Sequence, residues 1–278
     1  MHNSFSKDGF LIVREAISKK LLRNIHEEIF NFLTGFDSTN VSKNEHTCYE
    51  LFCEKVKNLT TSEFSFQEPI WDFLSYKGLV EELLLESKFY DVVSSLLGKD
   101  LSYLEAPSLN LNLPSRDSPA KNYLFKDWHQ EIWSGASISN IQIWTPLLQK
   151  NNNQGQLELM VESHKWGHIP HRNRTPIELP PTHKTLKTDL GYGDVIVFST
   201  LMLHRSVRAD YPRLSMTAQI RNFKRKSNSF QNENANWRIF SYSELTQIER
   251  ILGNHYISPY RVVDLNTDYL SRNTQKNQ

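Results

Sequence analysis

The stretch Arg213-Leu-Ser-Met-Thr-Ala-Gln-Ile-Arg221 alternates between polar and apolar residues along its whole length. Its odd positions are Arg, Ser, Thr, Gln and Arg, and its even positions are Leu, Met, Ala and Ile. Because successive side chains of a β-strand point to opposite faces, this stretch predicts a strand with one apolar and one polar face. Such a strand lies between a hydrophobic core and either solvent or a wet cavity.

The segments that precede this strand also change to a period of two residues after Gly98. Alternating or buried-type runs occupy residues 109–113, 138–145, 156–161 and 194–198, and turns rich in proline, glycine or asparagine separate them. Short strands divided by turns favour an antiparallel sandwich or jelly roll. We therefore predict a mainly β fold with flanking α-helices.

The first hundred residues follow a helical period instead. Ser18 and Gly35 stand where the N-cap and the C′ glycine of an amphipathic helix are expected. Apolar residues over 79–97 predict one further helix, which ends at Gly98. The N-terminal part is therefore expected to be helical up to about residue 100.

The remaining segments complete the predicted organisation. The polar stretch with Cys48 and Cys53 is interpreted as a loop with two free thiols, because no second pair of cysteines exists to form a disulfide framework or a zinc module. Residues 224–278 are interpreted as a polar extension with one short helix. We expect one domain over 1–278, with a jelly-roll core at about 101–223.

The composition excludes several functional classes. Lys and Arg total 32 against 31 Asp and Glu, so the net charge of +1 gives no general attraction to nucleic acid or to an anionic membrane. The ten glycines form neither GxGxxG nor a P-loop. The chain has no bilayer-spanning apolar run and no apolar signal core at its start, so we expect a cytoplasmic protein without membrane or nucleic-acid partners. The sequence does not indicate an oligomeric state.

Three residues suggest a metal site. His129 and Glu131 are two positions apart, so on an extended segment both side chains point to the same face. His204 follows the predicted strand at 194–198 and supplies a third candidate ligand. Two histidines and one carboxylate form the facial triad of non-haem Fe(II) oxygenases. A His-x-Glu tripeptide by itself is a common accident in a chain with 10 His and 31 acidic residues.

The strand after His204 offers an anion-binding pair. Arg213 and Ser215 share its polar face, so a guanidinium group and a hydroxyl can hold one carboxylate together. The alternative is a solvated strand face with a surface arginine. Arg221 lies eight residues further on, about 27 Å along a strand, and cannot serve the same anion.

At this point the sequence resembles the phytanoyl-CoA dioxygenase family of Fe(II)- and 2-oxoglutarate-dependent oxygenases. The resemblance covers about residues 5–223, and its motifs are specific only in combination. In chain order they are Lys7-Asp-Gly-Phe-Leu-Ile-Val-Arg14, Trp128-His-Gln-Glu131, Ile143-Trp-Thr-Pro-Leu147, Gly155-x-Leu-x-Leu159, Ser163-His164, Gly193-Asp-Val-Ile-Val-Phe198, His204-x-Ser206 and Arg213-x-Ser215.

The resemblance implies a fold, a set of cofactors and roles for individual residues. The fold would be a double-stranded β-helix, the cupin-like form of the jelly roll. His129, Glu131 and His204 would ligate Fe(II), which uses O2 and the co-substrate 2-oxoglutarate. A further group would bind that co-substrate: Arg213 and Ser215 at its remote carboxylate, Trp144 by packing, and Asn110 or Asn112 from the upstream strand.

The family usually has aspartate where this chain has Glu131. Glutamate is one methylene longer but is still a carboxylate ligand, and the facial triad accepts either acid. Since alanine or glycine there would open a halide site, the acid favours hydroxylation over halogenation. The expected reaction is oxidative decarboxylation of 2-oxoglutarate coupled to hydroxylation of a small polar metabolite, sugar or natural-product intermediate.

Other readings remain open. His164, His168 and His171 could be imagined as a zinc site, as a substrate-contacting loop or as a surface loop. We take His164 and Trp133 as candidate substrate contacts, and the loops at about 45–67, 115–126 and 162–185 as those that would choose the substrate. The alternative of a different class is a non-catalytic jelly-roll binding protein that has lost iron because of Glu131.

Overall fold

The structure, a computed structural model, describes residues 2–35, 45–57, 67–105, 109–112, 127–150, 156–179, 183–207, 211–225 and 236–252. The helices are α1 (His2–Asp8), α2 (Lys19–Thr34), α3 (Glu45–Lys57), α4 (Gln67–Tyr76), α5 (Leu79–Leu84), α6 (Ser87–Leu97) and α7 (Glu244–Leu252). The strands are β1 (Phe10–Val13), β2 (Leu101–Leu104), β3 (Leu109–Asn112), β4 (Ile141–Leu148), β5 (Leu157–Met160), β6 (His171–Arg172), β7 (Thr175–Pro176), β8 (Thr185–Lys187), β9 (Val195–Ser199), β10 (His204–Ser206), β11 (Arg213–Asn222) and β12 (Trp237–Ser241).

The strands form two main antiparallel sheets. The larger sheet has the order β1-β9-β4-β11-β2-β12, and β3 also pairs with β11. The smaller sheet has the order β10-β5-β8, and β6 pairs with β7 as a separate hairpin. Side chains from both sheets, including Trp144, Ile196 and Leu159, meet in one buried cluster. The predicted mainly β jelly roll with flanking helices is confirmed.

Strand β11 separates the apolar core from a cavity. Its even-numbered residues, from Leu214 to Ile220, are buried in the cluster that also contains the inward faces of the helices. Its odd-numbered residues include Arg213, Thr217 and Gln219, which line a cavity between the two sheets. Of the two environments that alternation allowed for the polar face, the structure has the wet cavity rather than open solvent.

The helices cover the outer face of the larger sheet. Helix α2 begins where Ser18 Oγ accepts a hydrogen bond from the Leu21 amide, and it ends at Gly35 in the left-handed conformation. Its buried apolar residues, such as Ile25 and Ile29, pack in the same cluster as the apolar face of β11. The N-cap and the C-terminal glycine predicted for this helix are both present.

The prediction of one continuous helix over 79–97 was wrong. The chain forms α5 and α6, separated by Leu85 and by Glu86, whose ψ of 128° is not helical. In a continuous helix, positions 87 and 88 would lie on the buried face, but they are Ser and Lys rather than apolar residues. Glu86 instead accepts hydrogen bonds from the backbone and the side chain of Ser18.

The prediction of a loop around the two cysteines was also wrong. Both residues lie in α3, where Cys48, Tyr49 and Phe52 are buried on one helical face. These positions have the i, i+1, i+4 spacing of an amphipathic helix, which the charged residues between them obscure. Neither cysteine forms a disulfide, as predicted.

The segment predicted as a polar and helical extension contributes a strand as well as a helix. β12 pairs with β2 at the edge of the larger sheet, and α7 follows it. That all 278 residues form one domain stays a prediction. None of the helices in the described ranges has both the length and the apolar character needed to cross a bilayer.

A close backbone approach at Gly193 joins β9 to the start of α2. Gly193 has a φ of +86°, and a Cβ atom there would lie 2.9 Å from the carbonyl oxygen of Ile17. Gly35 also has a positive φ, of +64°, but an added Cβ would meet no atom of the described residues within 4 Å. Substitution of Gly35 therefore measures the cost of the backbone conformation, whereas substitution of Gly193 adds the cost of crowding.

We expect Gly193→Ala to lower the free energy of unfolding by about 3 kcal/mol, because conformational strain and overpacking both contribute. Gly35→Ala should lower it by only about 1 kcal/mol. Urea denaturation of both variants and of the wild type measures the difference. Equal losses in the two variants would contradict the proposed crowding against Ile17.

Candidate active site

The cavity between the two sheets has a volume of about 210 Å³. Residues from β2, β3, β4, β9 and β11 of the larger sheet line one side, and residues from β5 and β10 of the smaller sheet line the other. His129, Glu131, His204, Arg213, Trp144 and Asn110 all belong to this lining. Six of the residues singled out from the sequence are thus brought to one cavity.

Backbone pairing brings the three predicted metal ligands together. The His129 amide donates to the His204 carbonyl at 3.0 Å, and the His204 amide donates to the His129 carbonyl at 3.1 Å. The two imidazole centroids lie 4.1 Å apart. Glu131 follows at the start of a 3-10 helix, and its amide donates to the Thr200 carbonyl. The reciprocal bonds join two histidines that are 75 positions apart in sequence.

The carboxylate of Glu131 faces both imidazoles. Its Oε1 atom is 3.3 Å from His204 Nε2 and 3.6 Å from His129 Nε2. Burial opposes ionisation of this carboxyl group, but the proximity of His129 and His204 holds its pKa well below the usual range. The longer glutamate side chain therefore reaches the same point as the two histidines.

The hydrogen bonds of the imidazoles set their tautomers. His129 Nδ1 donates to the Asp127 carbonyl at 2.7 Å, and His204 Nδ1 donates to the Met202 carbonyl at 3.0 Å. Each Nε2 lone pair is consequently directed toward the carboxylate. Burial, and then the proximity of His129, lowers the pKa of His204, which favours the neutral ring that a metal needs.

This arrangement fits a divalent metal ion. One ligand atom from each of the three residues lies within 4.8 Å of the others, and no other group of three or more possible ligands occurs in the described part of the chain. His129 Nε2 is buried and has no hydrogen-bond partner in the described ranges. A buried nitrogen without a partner is costly, and a metal ion would satisfy it.

Gln130, between two of these ligands, holds the segment in place from the opposite side. Its Nε2 group donates to the carbonyls of Gly167 and Leu201, at 2.8 and 2.6 Å. Its Oε1 atom accepts a hydrogen bond from the Ile169 amide at 3.0 Å. This role could not be predicted from the sequence, because all three partners are backbone atoms that only the folded chain brings near.

Arg213 is a buried cation that has no counter-ion among the residues that the structure describes. Its side chain is 2% exposed, and neither Nε nor one terminal nitrogen has a hydrogen-bond partner. The guanidinium carbon lies 4.9 Å from the centroid of the Trp144 ring. Burial lowers the pKa of this group to about 9. An anion bound in the cavity would supply the missing charge and hydrogen bonds.

The other predicted co-substrate contacts differ in position. Asn110 lines the cavity, and its side-chain amide donates to Thr217 at 3.0 Å. Asn112 is buried, and its amide donates to the Val207 carbonyl at 3.2 Å. Ser215 is also buried, and its hydroxyl donates to the Asn110 carbonyl at 3.3 Å. Of these three, Asn110 alone is in the cavity lining, and the binding roles stay predictions.

The two candidate substrate contacts lie outside the cavity lining. His164 Nε2 donates to the Ser6 carbonyl at 2.9 Å, which places the ring against the N-terminal helix. Trp133 stacks on His171 at a centroid distance of 4.6 Å. Their roles in substrate binding stay predictions. Residues 115–126, expected to help choose the substrate, lie outside the described ranges.

Several cavity residues were not singled out from the sequence as site residues. They are Leu104, Gln142, Leu157, Phe198, Ser206, Thr217 and Gln219. Alternation already placed Thr217 and Gln219 on the polar face with Arg213, so this signal was available. Gln142 carried no comparable signal, because all eight residues of β4 are buried whichever face they occupy.

A jelly roll with two histidines and a carboxylate beside a buried arginine defines the class of non-haem metal oxygenases. The sequence matches the phytanoyl-CoA dioxygenase (PhyH) family over residues 5–210. The chain therefore belongs to this family. A comparison with curated proteins gave no significant match.

Solved structures with the same fold are distant in sequence. The apo form of the non-haem monooxygenase ThoJ is 17% identical, with a TM-score of 0.56 over 87% of this chain and 84% of that one. EctD from S. alaskensis with bound Fe is 15% identical, with a TM-score of 0.54 over 84% and 79%. EctD with 2-oxoglutarate and 5-hydroxyectoine is 15% identical, with a TM-score of 0.52 over 87% and 82%.

The lone charge of Arg213 leads to a prediction about stability. We expect Arg213→Met to raise the free energy of unfolding of the ligand-free protein by about 1 kcal/mol or more, because an unpaired buried charge is replaced by an apolar chain. The matched control is Arg205→Met. Arg205 pairs with buried Glu158 at 2.7 Å, so its loss should destabilise the protein by about 2 kcal/mol.

Urea denaturation without added ligand measures both variants. Destabilisation by Arg213→Met of the same size as by Arg205→Met would show that Arg213 is an ordinary structural arginine.

Proposed function

We propose that this chain is an Fe(II)- and 2-oxoglutarate-dependent dioxygenase that hydroxylates a C–H bond of a small polar metabolite, sugar or natural-product intermediate. Carbon dioxide and succinate would be released. The observation that carries the proposal is the pair of unsatisfied buried groups in one cavity. His129 Nε2 lacks a Lewis acid, and Arg213 lacks an anion.

The ligand set favours iron over a structural metal. Two neutral imidazoles and one carboxylate on one side of an ion leave its other positions open. His129, Glu131 and His204 would hold the ion, and bound Fe(II) would supply chelation of the 2-oxo acid and activation of O2. The carboxylate of Glu131 fills the position that a halide would need, which supports hydroxylation rather than halogenation.

The remaining residues would position the co-substrate. Arg213 offers a fixed guanidinium fork for a carboxylate, and Trp144 presents its ring beside this group. Leu157 and Phe198 add apolar lining, which excludes water and strengthens the pairing of charges. The proposed reaction needs no acid or base from the protein. In agreement with this, none of the described cavity residues is a nucleophile that a neighbouring base activates.

The first test is anaerobic addition of Fe(II) and 2-oxoglutarate to the purified protein. We expect the weak visible charge-transfer band of the chelate, and we expect His204→Ala or Glu131→Ala to abolish it by removing a ligand. His46→Ala is the control, because His46 is exposed on α3 and pairs only with Glu50 among the described residues.

Absence of the band from folded wild-type protein would refute the dioxygenase proposal. It would favour the alternative of a non-catalytic binding protein built on the same jelly roll.

The second test concerns the anion. Arg213→Ala should weaken 2-oxoglutarate binding by about 30-fold or more, because a buried charge-assisted pair is lost. Titration of the visible band against 2-oxoglutarate gives the dissociation constant. Arg221→Ala, on the same face of the same strand, is the matched control and should bind as the wild type does. Unchanged binding by Arg213→Ala would remove this residue from the site.

A further inference from the structure

Two glutamines of the larger sheet lie in one row with Phe198, which contacts a histidine of the metal site. Gln219 of β11 is paired with Gln142 of β4, and Gln142 is paired with Phe198 of β9. Directly paired residues project to the same face of a sheet, and all three side chains line the cavity. The ring of Phe198 lies 4.7 Å from that of His204, centroid to centroid. The row therefore leads from a metal-binding histidine across the floor of the cavity.

Gln142 has an unsatisfied acceptor in this row. Its side chain is 5% exposed, and Oε1 is buried without a hydrogen-bond partner from any described residue. Leaving a buried acceptor unpaired costs about 1–3 kcal/mol. Because Gln142 lines the cavity, a molecule bound there can donate the missing hydrogen bond.

The co-substrate anchor lies elsewhere on β11. Arg213 is six residues from Gln219, which corresponds to about 20 Å along a strand. A carboxylate held by Arg213 therefore cannot contact the glutamine row. In the proposed reaction, the molecule that could contact the row is therefore the substrate rather than the remote carboxylate of the co-substrate.

Within the described part of the chain, the side chains around the row are uncharged. Apart from the three metal ligands and Arg213, the described lining consists of amides, hydroxyls and apolar side chains. The next arginine on this face, Arg221, donates to Ser102 Oγ at 3.2 Å and stacks over Trp237 at 4.0 Å. An ionised substrate group would be desolvated here without a counter-ion, which is unfavourable.

We propose that Gln142 and Gln219 form the substrate subsite, and that the reacting end of the substrate is neutral and carries a hydroxyl that donates to Gln142 Oε1. This rests on the proposed function. The cavity volume of 210 Å³ is below the ~300–1,000 Å³ typical of sites that enclose a drug-sized ligand. The described cavity therefore takes a small neutral alcohol, such as a polyol or sugar unit, or the hydroxylated end of a larger molecule.

The substrate class is tested by succinate formation with Fe(II), 2-oxoglutarate and O2. The probes are neutral polyols, sugars and hydroxylated natural products, each set beside carboxylated, phosphorylated and aminated counterparts. We expect stimulation above the substrate-free rate from neutral hydroxylated compounds. Stimulation by charged compounds alone, or by none of the neutral ones, overturns the proposal.

The residue assignment is tested with the best neutral stimulant. Gln142→Met keeps the size of the side chain but removes the acceptor, so the KM for this compound should rise about tenfold or more. Gln247→Met, on the exposed face of α7, is the matched control.

A deoxy analogue of the stimulant provides a measurement that does not depend on variant stability. The wild type should bind the analogue more weakly than the parent compound, whereas Gln142→Met should bind the two compounds equally well. The reason is that the loss of the hydroxyl and the loss of the Gln142 acceptor remove the same hydrogen bond. Additive effects overturn the assignment of Gln142. A wild type without the chelate band would instead show failure of the proposed function, so the two failures are distinguishable.

Discussion

The structure depends on the two-faced strand β11, whose sides require different environments. Its apolar side chains, Leu214 to Ile220, need a cover, and α2 to α6 supply apolar residues to the same cluster. Its polar side chains cannot enter that cluster without loss of hydrogen bonds, so the opposite side must stay open to a cavity. Since a shift of one residue in register would exchange the two faces, the pairing of β11 with β4 fixes the position of Gln219, and its pairing with β3 fixes that of Arg213.

The cavity is defined by polar groups that the protein leaves unsatisfied. His129 Nε2, the Arg213 guanidinium and Gln142 Oε1 are all buried, and each needs a different partner: a Lewis acid, an anion and a hydrogen-bond donor. The surrounding backbone is well paired, and Gln130 fastens the ligand segment through three hydrogen bonds. Rigid support combined with unsatisfied side chains is the arrangement expected of a binding site rather than of a core.

Sequence periodicity was reliable where one face of an element is polar and the other apolar. This holds for β11 and for α2, whose cap residues also lie where they were expected. It was unreliable where charges interrupt a short apolar face, as around Cys48 in α3, and where a helix is broken without glycine or proline, as at Glu86. In the site, the triad residues could be named from spacing and resemblance, whereas Gln130 and Gln142 could not, because their significance depends on backbone partners or on the lack of them.

The sequence by itself determined which residue types can do chemistry here and on which face of a strand they lie. The His-x-Glu pair, the later histidine and the alternation after Arg213 are local patterns that survive without knowledge of the fold. Only the tertiary structure decided that His129 and His204 share reciprocal backbone hydrogen bonds and that Arg213 is buried without a counter-ion. The physical reason is that burial and hydrogen-bond satisfaction depend on residues far apart in sequence, whose proximity arises only when both sheets and the helices have packed.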